Sequence, residues 1–365
     1  ITKGTETSTS VTATVEGLAA GTVVITAACG SKTATFTLTV VNPVETSLTG
    51  EGLDWLTIGN NDGAYSYTVK YVSAVAGEVP EMTAASNDYY EIGELSTGSV
   101  DSETGLVTAT FTITPKADVY GYSVLTIALG DKTVTVTVEI CSSGILYSYA
   151  GGENVAAVTG LSSAFPGGEL HLPEYIYAEG ALRYVTQIGE GSNSISNAGG
   201  TITDVYTGNM IMLICNYAFG GLQIDKIYIG QRVATIGEHA FENSGLSEID
   251  FTSNTQLTTI GAGAFMYSTN LTELDIPDTV TTLGGQIFWN QTKIAVIHLP
   301  ANLTSGDYAF QLGTDRSTQI TTLYIPVYSK LPDGIFVNSY GIQQVYFSGT
   351  VAQWNAMLSA STINN

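Results

Sequence analysis

Positive charge is scarce in this sequence, and its scarcity argues against two kinds of partner. The 365 residues include 11 Lys and Arg against 33 Asp and Glu, which gives a formal net charge of −22. Nucleic acids are held through clustered Lys and Arg, so we expect no nucleic-acid partner. Adsorption to anionic membrane surfaces is disfavoured for the same electrostatic reason.

Long apolar runs and paired cysteines are also lacking. The longest uninterrupted apolar run, Met210–Cys215, is far too short to cross a bilayer, so no transmembrane segment is expected. The three cysteines, Cys29, Cys141 and Cys215, form no CxxC pair, which argues against a metal or redox centre. Because the chain starts without Met, we expect a mature or trimmed form from which a signal peptide or lipid anchor has been removed.

Catalytic signatures are absent as well. No GxSxG, HExxH or P-loop pattern occurs, and His171, His239 and His298 have no nearby Ser or Cys in a nucleophile motif. Glu248 and Glu273 can be imagined as an acid pair for glycoside hydrolysis, but adjacent carboxylates on a flat sheet lack the required cleft. We therefore expect no enzymatic activity and no cofactor.

Short β-strands are predicted throughout the first 141 residues. Thr alternates with Val, Ala, Phe or Leu, which predicts strands with one buried and one exposed face. The predicted strands are Val11–Glu16, Thr22–Cys29, Thr33–Val41, Ser66–Val72, Val107–Thr114, Ser123–Leu129 and Lys132–Ile140. Asn42–Pro43 marks a boundary, Gly130–Asp131 is a hairpin signal, and residues 43–141 have the length of a β-sandwich.

A family resemblance supports this view of the N-terminal region. The phrase GLAAGTVVITAACGSKTATFTLTV, residues 17–40, resembles the C-terminal half of bacterial Ig-like domains of group 2. The resemblance implies a partial Ig-like domain over residues 1–42, because the first half of that pattern is missing. Either the domain is cut, or its strands complete the sheet of a neighbour. Residues 43–141 are then expected to form an Ig-like β-sandwich.

A repeated phrase occupies residues 202–347. Each copy has an apolar-x-x-apolar-x-apolar run, a Thr-rich link, an apolar-Gly pair and, three residues after the Gly, an apolar-Phe pair. The copies open at Ile202, Ile224, Leu246, Leu271, Ile294, Ile320 and Ile342, in steps of 22, 22, 25, 23, 26 and 22 residues. A period in the twenties with this pattern predicts a leucine-rich-repeat solenoid.

The copy that starts at Leu271 shows how one repeat is expected to work. Leu274 and Ile276 point inward from a strand, which ends at Pro277 because proline has no N–H to donate. Gly284 then permits a tight bend at the next corner, and Phe288 returns to the core. No repeat buries its own apolar face, so the array is stable only when the repeats stack.

The repeats carry a second family resemblance. LTELDIPDTVTTLGGQIF, ATIGEHAF, TTIGAGAF and the closing VYFSGTVAQWNAM resemble the BspA-like leucine-rich repeats of bacterial surface proteins, across about residues 170–358. The resemblance implies a solenoid domain over residues 142–365, in which Ser142–Gly168 is a linker or an irregular N-terminal cap. Thr350 and Gln353 have capping-box spacing and predict a C-terminal helix that places Trp354 over the last repeat.

Strand parity predicts which repeat residues face outward. If Ile227 and Ile229 point inward, the outward slot is occupied by Tyr206, Tyr228, Asp250, Asp275, His298, Tyr324 and Tyr346. The slot two residues earlier holds Asp204, Lys226, Glu248, Glu273, Val296, Thr322 and Gln344.

We expect the candidate ligand-binding face to consist of Tyr206, Tyr228, Glu248, Asp250, Glu273, Asp275, His298, Tyr324 and Tyr346. His298 is expected to pair with Asp275 across neighbouring strands. The alternative is that Tyr and Asp merely tolerate an exposed strand face.

The sequence thus predicts a mainly β protein, with an N-terminal Ig-like region followed by a leucine-rich-repeat solenoid. The resemblance implies a bacterial cell-surface or secreted protein, adhesin-like and non-enzymatic, that binds a surface protein of a host or neighbouring cell. The alternative is a carbohydrate-binding accessory protein of a glycan-uptake system, against which the presence of only three Trp counts mildly. A hydrolase is the third and weakest hypothesis.

Overall fold

The computed structural model describes residues 2–6, 11–14, 21–29, 32–40, 44–85, 87–149, 154–191, 194–291, 293–311, 320–339 and 341–361. Within these residues the chain is mainly β, as expected, with thirty strands and one helix. The strands form seven sheets. None of the helical structure in these ranges is long and apolar enough to span a membrane.

The first four strands form two separate antiparallel hairpins. They are β1 (Thr2–Glu6), β2 (Val11–Thr14), β3 (Gly21–Cys29) and β4 (Lys32–Val40). The predicted extensions to Glu16 and Val41 lie outside the described residues. The expectation of one buried face is wrong for β3 and β4. Val24 is 60% exposed on one face of this hairpin, and Phe36 is 53% exposed on the other.

Residues 47–141 form two sheets that enclose one core. The strands are β5 (Ser47–Thr49), β6 (Trp55–Gly59), β7 (Tyr65–Val72), β8 (Glu81–Ala84), β9 (Tyr90–Ile92), β10 (Ser96–Val100), β11 (Val107–Pro115), β12 (Gly121–Leu129) and β13 (Lys132–Cys141). One sheet has the order β10-β11-β7-β5 with β9 beside β11, and the other has the order β6-β13-β12-β8. Tyr67 and Phe111 of the first sheet share a core with Leu125 and Val138 of the second. We call this part the two-sheet unit.

The four strands predicted in this unit are confirmed as β7, β11, β12 and β13, and Gly130 turns the β12–β13 hairpin with a φ of 58°. The five remaining strands escaped prediction because they hold only three to five residues each. The Ig-like assignment of the unit and the boundaries at 42 and 141 stay predictions.

The repeat region stacks its coils through two sets of strands. The strands are β14 (Ile145–Tyr149), β15 (Val155–Leu161), β16 (Gly168–His171), β17 (Tyr175–Ala178), β18 (Ala181–Ile188), β19 (Ser196–Asn197), β20 (Ile202–Tyr206), β21 (Leu213–Ile214), β22 (Lys226–Tyr228), β23 (Thr235–Ile236), β24 (Glu248–Asp250), β25 (Thr259–Ile260), β26 (Glu273–Asp275), β27 (Thr282–Leu283), β28 (Val296–His298), β29 (Thr322–Ile325) and β30 (Gln344–Phe347). Much of Ser142–Gly168 is therefore regular structure rather than a linker, because β14 and β15 pair at the start of a sheet.

The repeat strands form two arrangements, and the repeats from Ile294 onward contribute described strands only to the second. The first is a nine-stranded sheet with the order β14-β15-β18-β21-β23-β25-β27, joined by β17 and β19. The second, which we call the face sheet, consists of β16-β20-β22-β24 and then β26-β28-β29-β30. All repeat strands from β20 onward that pair with one another do so in parallel.

The predicted apolar positions form one continuous core between these strands. The openings of the first six copies are buried, as are the inward pairs Ile227/Ile229 and Leu274/Ile276. The phenylalanines that end the repeats stack on one another at centroid separations of 5.3 to 5.8 Å; they are Phe219, Phe241, Phe265, Phe288, Phe310 and Phe336. The predicted inside of the repeats is confirmed except in the last copy, where Val345 is 42% exposed.

The role predicted for Gly284 needs correction. Its φ is not in the left-handed region, and a Cβ atom there would lie 2.1 Å from the backbone nitrogen of Ala262 in the preceding coil. Glycine is needed because the two backbones approach closely, not because the corner demands an unusual conformation. The left-handed corner lies two residues later in each repeat, at His239, Gly263 and Gln286, with φ values of 54°, 60° and 59°.

A short helix closes the C-terminal end. The helix α1 (Val351–Ala360) begins at the N-cap Thr350, and Thr350 and Gln353 form the predicted capping box. The Trp354 ring packs edge-on against Phe347 at 5.1 Å, as predicted. Met357, which sequence analysis did not single out, is the buried residue of the helix.

Candidate functional site

The face sheet holds the predicted outward residues in register. Tyr206 pairs with Tyr228, and Tyr228 pairs with Asp250. In the second half of the sheet, Asp275, His298, Tyr324 and Tyr346 follow one another in the same way. Because side chains alternate along a strand and the inward neighbours are mostly buried, these seven side chains form one outward row, which we call the column.

The column continues beyond the predicted residues into the two-sheet unit. The rings of His171 and Tyr206 are stacked at 4.0 Å, and those of Tyr206 and Tyr228 at 4.2 Å. Tyr120, which precedes β12, stacks on the other face of His171 at 3.7 Å. Interplanar angles of 7° to 10° make this a stack of four nearly parallel rings that crosses from one unit to the other.

Sequence analysis missed both Tyr120 and His171. A signal for His171 was present, because the triplet His-Leu-Pro at 171–173 recurs at 298–300, where His298 is in the column. The sequence carries no such signal for Tyr120, which belongs to a different unit and reaches the column only through the packing of that unit.

The far end of the column carries a second stack. His298 and Tyr324 lie 4.0 Å apart at 8°, and Tyr324 and Tyr346 lie 4.7 Å apart at 11°. Tyr346 is the last ring and is 49% exposed. In both stacks, each inner ring has its two faces covered by its neighbours, so the column presents ring edges and hydroxyl groups to solvent.

The face sheet is interrupted between the two stacks. Within the described chain no strand pairing joins β24 to β26, although β25 and β27 of the same two repeats pair normally. An open notch of about 520 Å³ lies at this break. Ile249 and Phe251, whose counterparts in the adjacent repeats are buried, are only half-buried here.

The repeat at this point is longer than the one before it, and a buried side chain fixes its path. The step from Leu246 to Leu271 is 25 residues, three more than the preceding step. Asn254 is buried in the extra length and donates to the carbonyls of Gly230 and Val233 at 2.8 and 2.9 Å. Its Oδ1 accepts from the Leu257 backbone N–H at 2.8 Å, so this side chain fixes the detour of the backbone.

Negative charge surrounds the notch. Its lining includes the carboxylates Glu248, Asp250, Asp275 and Asp278. Hydrogen bonds from the Thr252 side chain and backbone lower the pKa of Asp250, which keeps this group ionised. Lys226 is bound to Glu248 at 2.5 Å and also lies 4.5 Å from the centre of the Tyr228 ring, so its charge is engaged with residues of the face.

The histidines of the face are held by glutamates. His298 stands opposite Asp275 on the neighbouring strand, as expected, but its Nε2 contacts Glu273 Oε1 at 3.2 Å. Glu273 and His298 stand in different slots of adjacent strands, and this diagonal contact leaves Asp275 facing the notch. His171 Nε2 contacts Glu169 at 2.8 Å, yet burial between two tyrosine rings lowers its pKa.

A buried carboxylate joins the two-sheet unit to the repeats. Glu139 is 5% exposed and accepts hydrogen bonds from the Trp55 indole at 2.8 Å and from the Glu174 backbone N–H at 2.9 Å. Burial raises its pKa to about 7, against the lowering effect of these two donors. Thr57 donates to the Tyr175 carbonyl at 2.5 Å, and the Trp55 and Tyr175 rings lie 4.4 Å apart. We call this set of contacts the junction.

No metal-binding cluster of His, Cys, Asp and Glu occurs among the residues whose placement is described. Cys141 and Cys215 are buried free thiols, and burial raises the pKa of both. Cys215 thus behaves as the small buried side chain that suits a glycine position. His239 lies at a left-handed corner and is stacked on Tyr217 at 4.8 Å.

Comparison with known proteins agrees with the repeat architecture. Residues 193–315 match the family described as BspA type leucine rich repeat region, in six copies. The BspA-type segment covers the column from Tyr206 to His298 and includes the notch. Repeats of this family are typical of binding proteins without catalytic activity. No curated protein matches the chain.

Several solved structures are similar to parts of the chain. A leucine-rich repeat protein of T. pallidum is 16% identical and covers 55% of this chain and 78% of its own, with a TM-score of 0.36. The pneumococcal vaccine antigen PcpA is 15% identical, with 57% and 69% covered and a TM-score of 0.35. A leucine-rich cell surface protein of Faecalibacterium prausnitzii A2-165 is 14% identical, with 60% and 98% covered and a TM-score of 0.23.

Proposed function

We propose that this chain is a non-enzymatic, adhesin-like binding protein of the bacterial surface or of the secreted fraction. It recognises a protein of a host or neighbouring cell through the column and the notch. The main support is the column itself, in which stacked rings fix tyrosine edges and hydroxyls along a rigid sheet. Tyrosine offers large contact area and a hydrogen-bonding group at a low cost in conformational entropy, which suits protein recognition.

The notch indicates what kind of surface the partner presents. Half-buried Ile249 and Phe251 are surrounded by the carboxylates of Glu248, Asp250 and Asp275. Lys and Arg side chains combine an apolar stem with a cationic head, so they match an apolar floor with an acidic rim. The chain as a whole carries a net charge of −22, which also favours a basic partner surface through long-range attraction.

The N-terminal part is proposed to act as a spacer. In this proposal residues 1–42 and 43–141 are Ig-like units, and residues 142–365 are the recognition domain that they project from the cell. The junction supports this role, because its buried hydrogen bonds hold the repeat array in a defined orientation on the two-sheet unit. A lipid anchor upstream of the chain is the corresponding proposal for attachment.

The ring geometry weighs against glycan binding along the column. A pyranose ring packs its C–H groups on the open face of an aromatic ring, whereas the inner rings here have both faces covered. Hydroxyls and ring edges remain available, and these are the groups that contact a protein surface.

The proposal is tested on an array of purified extracellular-matrix and cell-surface proteins. The intact chain is expected to bind at least one basic protein, and more weakly as salt is added. The double substitution Tyr228→Ala/Tyr324→Ala is expected to weaken that binding at least tenfold. The matched control is Tyr122→Ala, which removes an exposed tyrosine outside the column. Equal binding by the double variant and the parent would refute recognition through the column.

A further inference from the structure

A second candidate site lies between the two-sheet unit and the start of the repeat array. It is an open cleft of about 360 Å³, within the range of about 300–1,000 Å³ that is typical of ligand pockets. The two-sheet unit contributes Leu56, Asp62 and Tyr65 to its walls. The repeat region contributes Tyr147, Tyr149 and Tyr177. The cleft shares no lining residue with the column or the notch.

Four tyrosines line this cleft, and their rings differ from those of the column. Among the described residues, none of the four has an aromatic stacking partner. Tyr177 is 50% exposed, and its hydroxyl donates to the Gly180 carbonyl at 3.1 Å, which fixes the ring on the β17–β18 hairpin. Tyr149 has the Arg183 guanidinium at 4.9 Å from its centroid. Tyr177 therefore offers the cleft a half-exposed ring with no stacked aromatic neighbour among the described residues.

The hydroxyl of Tyr147 is a further sign of a ligand. Tyr147 is half-buried on β14, and its hydroxyl makes no hydrogen bond to any residue that the structure describes. Burial raises its pKa well above the ordinary value, so the group stays a neutral hydroxyl donor. Because this hydroxyl has no partner among the described residues, a ligand can bond it without breaking a contact within the protein.

The charge of the cleft restricts the class of ligand. Asp62 is the only ionisable acid among its lining residues, and it accepts a hydrogen bond from the Gly59 backbone at 3.0 Å. The Arg183 guanidinium next to Tyr149 is bound to Glu179 at 2.7 Å and is therefore neutralised. No lining residue is cationic, and the chain carries a net charge of −22, so anionic ligands are repelled.

We propose that this cleft binds a neutral oligosaccharide, with a pyranose ring packed on Tyr177 and a sugar hydroxyl bonded to Tyr147. Aromatic faces contact the C–H groups of the sugar, while phenol and carboxylate oxygens bond its hydroxyls. Because the walls come from both units, the site exists only while the junction holds them together. This inference does not rest on the proposed protein-binding function, since the two sites share no residue.

The test uses the intact chain on an array of neutral and acidic oligosaccharides, followed by titration calorimetry with the neutral sugar that binds. Tyr147→Phe removes one hydroxyl without removing an internal hydrogen bond, so thermal stability is expected to stay unchanged. Sugar affinity is expected to fall about fivefold to tenfold, the effect of one lost hydrogen bond. Tyr177→Ala is expected to weaken binding at least tenfold.

Two controls separate this site from the column. Tyr267→Ala removes an exposed tyrosine outside the cleft and the junction, and Tyr228→Ala/Tyr324→Ala alters only the column; both are expected to leave sugar affinity unchanged. The proposal is overturned if no neutral oligosaccharide binds, or if only acidic glycans bind. It is also overturned if Tyr147→Phe and Tyr177→Ala both bind as the parent does, whatever the outcome on the protein array.

Discussion

The imidazole of His171 is stacked on the Tyr120 ring at 3.7 Å and 9°, and this single contact carries the column from the repeats into the two-sheet unit. The same histidine stacks on Tyr206 with its other face. The face sheet and the two-sheet unit are therefore packed against each other rather than joined only by a loose linker. The junction on Glu139 reinforces this arrangement.

The first prediction concerns this stack. Aromatic pairs contribute about 0.5–1.5 kcal/mol beyond the area they bury, so Tyr120 and His171 should be coupled by about that amount. A double-mutant cycle with Tyr120→Ala and His171→Ala, followed by denaturant unfolding, measures the coupling. A cycle between Tyr120→Ala and Tyr346→Ala, at the far end of the column, should give a coupling energy of zero to within about 0.5 kcal/mol. Equal couplings in both cycles would contradict the stack.

The second prediction concerns pH and Glu139. Its pKa in the folded protein is about 7, against an ordinary value of 4.5, so the folded state favours the protonated carboxyl. The corresponding stability is fully present below pH 4.5 and is lost as the pH rises to about 7. At about 1.4 kcal/mol for each pKa unit, the loss is on the order of 3 kcal/mol.

Calorimetry of the parent and of Glu139→Gln between pH 4 and about 8 checks this effect. The glutamine variant cannot titrate, so its melting temperature should fall less than that of the parent as the pH rises. Glu81→Gln, an exposed acid on β8, should keep the pH dependence of the parent. If Glu139→Gln and the parent lose stability in parallel, Glu139 is not the group responsible.

The third prediction compares two adjacent glycines. A Cβ atom at Gly284 would lie 2.1 Å from the Ala262 nitrogen, so Gly284→Ala must push two coils apart. Overpacking of this kind typically costs about 1–3 kcal/mol in the free energy of unfolding. At Gly285 the only neighbour within contact range is the Asp307 carbonyl at 3.7 Å, and Gly285→Ala should change stability by less than about 0.5 kcal/mol. Denaturant unfolding measures the free energy of unfolding of both variants. Equal losses would contradict the explanation that Gly284 is required by the close approach of two coils.

The repeats were predictable because their signal is periodic. Ile227 and Phe265 occupy positions that recur in every coil, so one register fixes the inside of the whole array. The same register predicted the residues that face outward. The strand pairing confirms that Tyr206, Tyr228 and Asp250 lie side by side. Its role in binding remains a proposal. Periodicity did not indicate why Gly284 is glycine, since close approach between coils depends on their spacing and not on the local sequence.

Contacts between units were not predictable. Tyr120 and Glu139 look like ordinary residues of strand sequence, and their roles depend on how two separately patterned regions pack. The break at β24 was missed for a related reason. The step of 25 residues before Leu271 was visible, but the step of 26 residues from Ile294 leaves β28 and β29 paired, so step length alone does not predict a break. The hydrogen bonds of the buried Asn254 to another coil are seen only in the structure.

The interrupted face sheet also bears on how the array bends. Between the repeats of β24 and β26, strand pairing connects the coils through β25 and β27 but not through the face sheet. The hydrogen bonds between β25 and β27 resist separation of the two coils on one side of the array, while the face sheet on the other side is open at the notch. Bending that widens or narrows the notch therefore meets less resistance than bending elsewhere in the array. A partner wedged against Ile249 and Phe251 would set this angle, and with it the spacing of the two tyrosine stacks.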